Sequence, residues 1–146
     1  SVHLADWPVM KPQYLDSELD EKWSARLALR SDVMKVLENA RAAKIIGHPL
    51  DADVTIYAEG DAYETLKAMG DFLSDFFIVS NVELVNDTSA APADALTNED
   101  GVRVSVAPST RQKCERCWKH LDSVGSNPNH PDVCARCARV LDEEKE

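Results

Sequence analysis

The sequence predicts an α+β protein, and three patterns carry that prediction. A run of helical period extends over residues 17–43, three shorter runs alternate apolar and polar residues as strands do, and all four cysteines lie near the end of the chain. We therefore expect a long N-terminal helix, a small β-α-β-β unit and a C-terminal module built around the cysteines.

The long helix is predicted from Ser17 to Ala43, with Asp16 or Ser17 as its N-cap. Gly47 and Pro49 follow it and are expected to mark its end. Its apolar stripe, which should face the rest of the protein, comprises Leu19, Trp23, Leu27, Val33 or Met34, Leu37 and Ala40.

The β-α-β-β unit is predicted to consist of strands at residues 53–58, 77–84 and 102–109 and a helix at 60–77. The helix should turn four residues toward the sheet: Tyr63, Leu66, Met69 and Leu73. Residues 86–101 are small, polar and acidic, so we expect them to form a mobile excursion without regular structure.

The cysteines form two C-x-x-C pairs, Cys114 with Cys117 and Cys134 with Cys137, separated by the 16 residues 118–133. This spacing is typical of a zinc site, because each C-x-x-C turn can direct two sulfurs to one ion about 2.3 Å away. Four thiolates complete a tetrahedron and leave no open position. The pattern therefore predicts a structural four-cysteine zinc-knuckle module with one Zn²⁺.

Other uses of the cysteines are less compatible with the sequence. Two disulfides would require a secretory context, and a thioredoxin-like redox centre needs a single C-x-x-C in a βαβ setting. His120 and His130 flank the loop, but four cysteines already supply all the ligands. Four basic residues lie beside the cysteines and would offset the −2 charge of a zinc–thiolate centre: Arg116, Lys119, Arg136 and Arg139.

The charge of the chain is unevenly distributed. The net charge is −10, and residues 1–110 carry 9 basic against 19 acidic side chains, whereas residues 111–139 carry 6 against 3. Because counterion release depends on local charge, RNA contact at the cysteine-rich segment is compatible with an acidic chain. No apolar run long enough for a membrane span and no signal-peptide pattern is seen, which predicts a cytoplasmic protein without membrane partners.

Motifs for catalysis are missing from the sequence. It has no glycine-rich phosphate loop, no paired carboxylates that stand out from the acidic surface, and no nucleophile with an evident base. The sequence alone therefore favours a binding or structural role.

Several segments together resemble one known family. They are "SVHLADWP", the tryptophan at 23, "LRSDVMKVLENARAAKIIGHPLDADVTIY", "KCERCWKH" and the later "CARC". The chain is similar to the C-terminal region of bacterial isoleucyl-tRNA synthetase, a class I aminoacyl-tRNA synthetase. The resemblance covers most of the chain apart from residues 86–100, and K-C-x-R-C-W followed by C-x-x-C is its most specific element.

The resemblance implies three domains. Residues 1–50 would end the helical anticodon-binding domain, 51–110 would form a small α/β junction domain, and 111–146 would form the zinc-binding domain. The intact enzyme uses ATP to charge tRNA(Ile) with isoleucine. This chain contains neither the HIGH-type nor the KMSKS-type motif, so we expect it to bind no ATP and to have no synthetase or editing activity alone. Its expected partners are tRNA(Ile) and the remaining synthetase domains, and we expect a monomer.

The resemblance also assigns the site residues. Cys114, Cys117, Cys134 and Cys137 match the zinc ligands of the family. Chemistry, rather than a family motif, predicts the residues that contact tRNA: Arg111, Lys113, Arg116, Trp118 and Lys119. For Trp118 two roles remain open, stacking on an anticodon base or packing over the sulfurs. The alternative function is a free-standing zinc module that docks on another protein.

Overall fold

A computed structural model describes residues 2–97 and 101–143, and its architecture is α+β as predicted. A long helix is followed by a small mixed sheet with short helices, and then by the cysteine-rich module. The helices are α1 (Ser17–Ala42), α2 (Gly60–Lys67), α3 (Leu73–Phe76) and α4 (Ala135–Glu143). The strands are β1 (Ala52–Tyr57), β2 (Asn81–Val85), β3 (Leu96–Thr97) and β4 (Arg103–Pro108).

Helix α1 begins where the sequence predicts and ends one residue before Ala43. Asp16 is the N-cap, and its carboxylate accepts a hydrogen bond of 2.9 Å from the backbone N–H of Leu19. At the other end Lys44 adopts φ +60° and the N–H of Ile45 donates to the carbonyl of Ala40 at 2.9 Å. Lys44 therefore terminates the helix in a Schellman-type turn, and the predicted role of Gly47 was wrong.

Only the C-terminal half of the predicted α1 stripe is fully buried. Val33, Leu37 and Ala40 belong to a core shared with the sheet, whereas Leu19 and Leu27 remain about half exposed. The core therefore crosses the predicted boundary at residue 50. The division into three domains stays a prediction.

The sheet has the strand order β2-β1-β4-β3. Strand β1 is parallel to β2 and antiparallel to β4, and β3 is antiparallel to β4. Side chains alternate as predicted: Val54 and Ile56 of β1 are buried, and Val104 of β4 lies beside them in the same core. Strand β1 is thus one of the two inner strands of the sheet, and it carries Asp53, which the cysteine-rich module contacts.

The predicted helix at 60–77 is interrupted. Gly70 adopts φ +51° and residues Gly70–Phe72 form a 3₁₀ turn between α2 and α3. After α3, Ile78 adopts φ +56° and the N–H of Val79 donates to the carbonyl of Ser74 at 2.9 Å. This helix-ending turn uses the residues that the period-two pattern assigned to a strand. The second strand therefore begins at Asn81, and the prediction of a start at Phe77 was wrong.

The prediction that residues 86–101 lack regular structure was also wrong for those that the structure describes. Thr88–Ala90 form a 3₁₀ turn and Leu96–Thr97 form strand β3. The Arg103 guanidinium donates to the carbonyls of Thr88, Ala91 and Pro92 at 3.3, 3.5 and 3.0 Å. A long-range contact from β4 thus orders a segment whose composition favours disorder. Residues 98–100 of the predicted excursion lie outside the described part of the chain.

The structure contains a second, smaller core in the cysteine-rich module. Val124, Val133 and Ala138 are buried there beside three of the cysteines. Helix α4 forms part of this core and was not predicted. Among the helices in residues 2–97 and 101–143, none is long and apolar enough to cross a membrane.

Replacing Arg103 with Met should release the segment at 88–92, because three carbonyls lose their shared donor. We expect faster amide hydrogen exchange at Ala91 and Ala95, whose N–H groups close turns in this segment. Arg139→Met, on the exposed face of α4, is the matched control. Unchanged exchange at both amides in Arg103→Met would show that Arg103 does not order the segment.

Candidate metal centre

The first knuckle is a tight turn that the backbone closes on itself. The N–H of Cys114 donates to the carbonyl of Lys119 at 2.9 Å, and the N–H of Trp118 donates to the carbonyl of Cys114 at 2.8 Å. Trp118 adopts φ +66° to complete the turn. Lys113 and His120 form an antiparallel bridge at its base. This geometry brings Cys114 and Cys117 to the same side of the knuckle.

The second pair of cysteines lies at the start of α4. The carbonyl of Cys134 accepts a hydrogen bond of 2.9 Å from the N–H of Ala138, so Cys134 and Cys137 share the first helical turn. The N–H of Cys134 donates to the Sγ atom of Cys114 at 3.3 Å, which joins the two halves. Helix α4 thus gives the second pair a fixed position opposite the knuckle.

The four sulfur atoms lie within 4.8 Å of one another, and the Sγ atoms of Cys117 and Cys134 are 3.8 Å apart. Four sulfurs placed tetrahedrally about 2.3 Å from a zinc ion would be separated by about 3.8 Å. Disulfide sulfurs lie about 2.05 Å apart, and all four cysteines are free. The donor set and its spacing therefore fit Zn²⁺ and exclude two disulfides.

The surroundings of the cluster shift the pKa values of three of its thiols in opposite directions. Burial opposes ionisation of Cys114, but the N–H groups of Cys117, Cys134 and Arg116 outweigh it and lower the pKa of Cys114 to about 6. Burial raises the pKa of Cys117 to about 12, and burial also raises the pKa of Cys134. Without a metal, the Cys114 thiolate therefore lies beside two thiols, Cys117 and Cys134, that burial keeps protonated. A divalent cation would replace these protons as the partner of the sulfurs.

Both histidines near the cluster have other partners. His120 places Nδ1 2.8 Å from the carbonyl oxygen of Arg111, and His130 places Nε2 2.9 Å from the Asp142 carboxylate. The group that could hold a metal comprises the four cysteines and neither histidine, as far as the described residues extend. The assignment of the cysteines as the four ligands remains a prediction that this geometry supports.

The predicted tRNA-contacting residues have different surroundings. Lys113 and Trp118 are exposed, with the Lys113 ammonium 5.7 Å from the centroid of the indole ring. Arg116 is also exposed and directs Nη1 to the Sγ atom of Cys137 at 3.9 Å. Arg111 and Lys119, in contrast, are partly buried in ion pairs that reach the β-α-β-β unit. Neither arrangement tests RNA contact, which stays a prediction for all five residues.

Sequence reasoning missed the acidic residues that receive the module. Arg111 binds Asp53 in β1, and Lys119 binds Asp75 in α3. These partners are 58 and 44 residues apart in sequence. No local pattern marks the two aspartates, because they are ordinary members of an acidic segment until the chain has folded.

Comparison with known proteins defines the class of the module. Residues 111–140 match the family model described as the zinc finger found in FPG and IleRS, where IleRS denotes isoleucyl-tRNA synthetase. The module is therefore a zinc finger of this class.

The whole chain is also similar to individual proteins of one kind. It is 43% identical to the isoleucine–tRNA ligase of Moorella thermoacetica over 145 residues, which is 98% of this chain. It is 46% identical to that of Syntrophomonas wolfei over 143 residues and 42% identical to that of Geobacter sulfurreducens over 141. The chain thus corresponds to a region of isoleucine–tRNA ligases, as the resemblance implied. It spans only 16% of the length of the Moorella relative.

Replacing Cys134 with Ser should unfold residues 111–140 and leave the sheet folded. Zinc binding contributes roughly 10–16 kcal/mol in comparable peptides, which exceeds what the small second core can supply. Metal analysis and amide chemical-shift dispersion measure the two effects. Full zinc occupancy together with unchanged dispersion would contradict the prediction.

Zinc affinity should increase with pH, because binding requires thiolates and the free chain holds protons on sulfur. At pH 7 Cys114, with its pKa of about 6, is mostly ionised, whereas Cys117, with its pKa of about 12, is protonated. The pKa of Cys134 is also raised. Release of the two protons of Cys117 and Cys134 should then raise the apparent association constant about a hundredfold per pH unit near pH 7. Competition with a chelator between pH 6 and 8 measures this slope, and a flat profile would contradict it.

Proposed function

We propose that this chain contacts the anticodon arm of tRNA(Ile) in an isoleucine–tRNA ligase, and that Zn²⁺ on Cys114, Cys117, Cys134 and Cys137 gives the contact surface its shape. The zinc here is structural, since four thiolates leave no position for a substrate. The whole protein would activate isoleucine with ATP and charge the tRNA in the cytoplasm. The single observation that supports tRNA contact most directly is the conformation and exposure of Trp118.

Trp118 combines an unfavourable backbone conformation with an exposed side chain, so it contributes little to the stability of the fold. A bulky residue at positive φ is disfavoured by about 1–2 kcal/mol, and the φ of Trp118 is +66°. Its side chain is also 56% exposed, so it buries little apolar area against the sulfurs. Glycine would suit the backbone of the knuckle better. A strained, exposed indole is the kind of feature that marks a contact site.

The surroundings of the indole suit a nucleic acid. An aromatic ring can stack on an unpaired base, which is worth about 1–3 kcal/mol per base. The Lys113 ammonium lies 5.7 Å from the ring centroid and can neutralise a phosphate next to the stacked base. We therefore assign Trp118 and Lys113 to direct contact, with Arg116 next to them in the knuckle, whereas Arg111 and Lys119 are held in partly buried ion pairs.

The N-terminal segment supports attachment to the remaining synthetase domains. Six of its large apolar side chains are at least 70% exposed: Leu4, Trp7, Val9, Met10, Tyr14 and Leu15. So many exposed large apolar side chains in one short segment indicate an interface. We propose that it packs against the preceding helices of the anticodon-binding domain, which the longer relatives have room to contain.

The sharpest test is Trp118→Gly in the full-length ligase. Glycine relieves the positive φ, so the knuckle should keep its zinc and its thermal stability while the ring is lost. We expect tRNA(Ile) binding to weaken at least about fivefold, given the value of a stacked base. Isoleucine-dependent pyrophosphate exchange should not change. Normal tRNA binding with zinc retained would contradict the proposal, and capture of a protein partner by the same surface would favour a docking module.

Lys113→Met provides a separate electrostatic test. Removing one phosphate-neutralising cation should reduce the slope of log K against log salt by about 0.7–0.9. Arg116→Ala is the informative comparison, because Arg116 also lies near a cysteine sulfur. If Arg116 only offsets the thiolate charge, its loss should lower zinc affinity and leave the salt slope unchanged. An unchanged slope for Lys113→Met would remove Lys113 from the contact surface.

A further inference from the structure

Two ion pairs between the zinc module and the β-α-β-β unit form what we call the aspartate latch: Arg111 with Asp53, and Lys119 with Asp75. Nearby, His120 Nε2 lies 3.5 Å from the carboxylate of Asp51. Both basic residues belong to the segment that carries the first knuckle. Both acidic residues belong to the strongly negative part of the chain. The latch therefore joins the net positive segment of the chain to the net negative one.

Arg111 makes the more extensive contact of the two. Its Nη1 atom lies 2.9 Å from each carboxylate oxygen of Asp53, and its Nε atom lies 3.0 Å from Asp122 of the module. The side chains of Arg111 and Asp53 are each 28% exposed. Arg111 thus directs its donors to two carboxylates, one on each side of the contact. A guanidinium engaged in this way is poorly placed to bind a phosphate.

Lys119, the residue that follows Trp118, is held by contacts with α3. Its ammonium lies 2.5 Å from Asp75 and 3.1 Å from the hydroxyl oxygen of Ser74. The Lys119 side chain is only 16% exposed. Because the backbone of Lys119 also accepts the hydrogen bond that closes the knuckle, the latch and the turn that holds Trp118 share one residue.

A pair of neutral hydrogen bonds lies at the same contact. The N–H of His120 donates to Ser80 Oγ at 2.6 Å, and that hydroxyl donates to the carbonyl of Leu50 at 2.5 Å. Ser80 is only 3% exposed, so these bonds are shielded from water. Directional bonds beside the ion pairs leave the module little freedom to rotate against the sheet.

We propose that the aspartate latch sets the orientation of the zinc module on the sheet and thereby presents Trp118 and Lys113 to the tRNA. Arg111 and Lys119 are then positioning residues that act on RNA binding through the latch and not by touching the phosphates. This inference rests on the proposed function. It explains why two basic side chains of an RNA-facing module are withdrawn from solvent.

Substitutions that remove a negative charge from the latch distinguish its role from a general electrostatic effect on tRNA binding. Replacing Asp75 or Asp53 with Asn removes a negative charge, so electrostatics alone would strengthen tRNA binding. Loss of the latch would weaken it. Asp71→Asn is the matched control, because Asp71 is exposed near Asp75 and forms no ion pair within the described ranges 2–97 and 101–143.

In the full-length ligase we expect Asp75→Asn and Asp53→Asn to weaken tRNA(Ile) binding roughly threefold to fivefold, as the loss of one partly buried pair allows. Zinc content should stay complete. Asp71→Asn should bind as tightly as the parent protein or tighter. If Asp75→Asn and Asp53→Asn behave like Asp71→Asn, the latch has no role in RNA binding and the proposal is wrong.

A charge swap gives the second arm. Lys119→Glu alone should weaken tRNA binding, and Lys119→Glu combined with Asp75→Lys should recover much of the loss because the pair is restored in reverse. A Lys119 that touches phosphate directly would not be rescued by a cation on α3. Residual dipolar couplings of the zinc-loaded chain should report a changed module orientation in the single variant and its return in the double variant. An unchanged orientation in the single variant would overturn the latch.

Trp118→Gly, measured in parallel, separates the two proposals. Weaker tRNA binding in Trp118→Gly without an effect of the aspartate variants would overturn the latch and leave the RNA surface in place. Normal binding in Trp118→Gly would instead remove the RNA surface, while the dipolar couplings would still decide whether the latch orients the module.

Discussion

Residues 111–140 of this protein depend on the charge of four sulfur atoms that lie together in a small buried cluster. Three of the six buried residues in the second core are cysteines, so this core has few carbon side chains to hold it together. Without an ion, burial keeps protons on Cys117 and Cys134, and a single thiolate is favoured at Cys114. A divalent cation converts the same sulfurs into the strongest link of the module.

Trp118, which closes the first knuckle, has an unfavourable positive φ, and comparison with two other residues of positive φ shows how it differs from them. Lys44, Ile78 and Trp118 all adopt positive φ at positions that end a turn. Lys44 and Ile78 terminate helices, where this conformation is common although glycine usually adopts it; nothing in the structure explains the choice of isoleucine at 78. Trp118 differs because its side chain is large, exposed and beside a cation. Two backbone hydrogen bonds hold Trp118 in this conformation: the N–H of Cys114 donates to the carbonyl of Lys119, and the N–H of Trp118 donates to the carbonyl of Cys114.

The basic residues of the module divide into groups with different surroundings. Arg111 and Lys119 are engaged with aspartates of the β-α-β-β unit, Arg116 lies near a sulfur, and Lys113 lies over an exposed indole. A positive patch in a strongly acidic chain therefore need not be one binding surface. Part of it pairs with aspartates of the β-α-β-β unit, whereas Lys113 is exposed beside the indole ring of Trp118.

The sequence by itself determined the features that local spacing controls. These include the extent of α1 with its cap at Asp16 or Ser17, the alternation in β1 and β4, and the four-cysteine cluster, because period, capping and C-x-x-C turns act over a few residues. The tertiary structure decided what depends on distant partners. Arg103 orders the segment at 88–92, Gly70 and Ile78 interrupt the predicted helix and strand, and Asp53 and Asp75 become partners of the module. The sequence does not distinguish these two aspartates from the many other acidic residues of the chain, because only folding brings them close to Arg111 and Lys119.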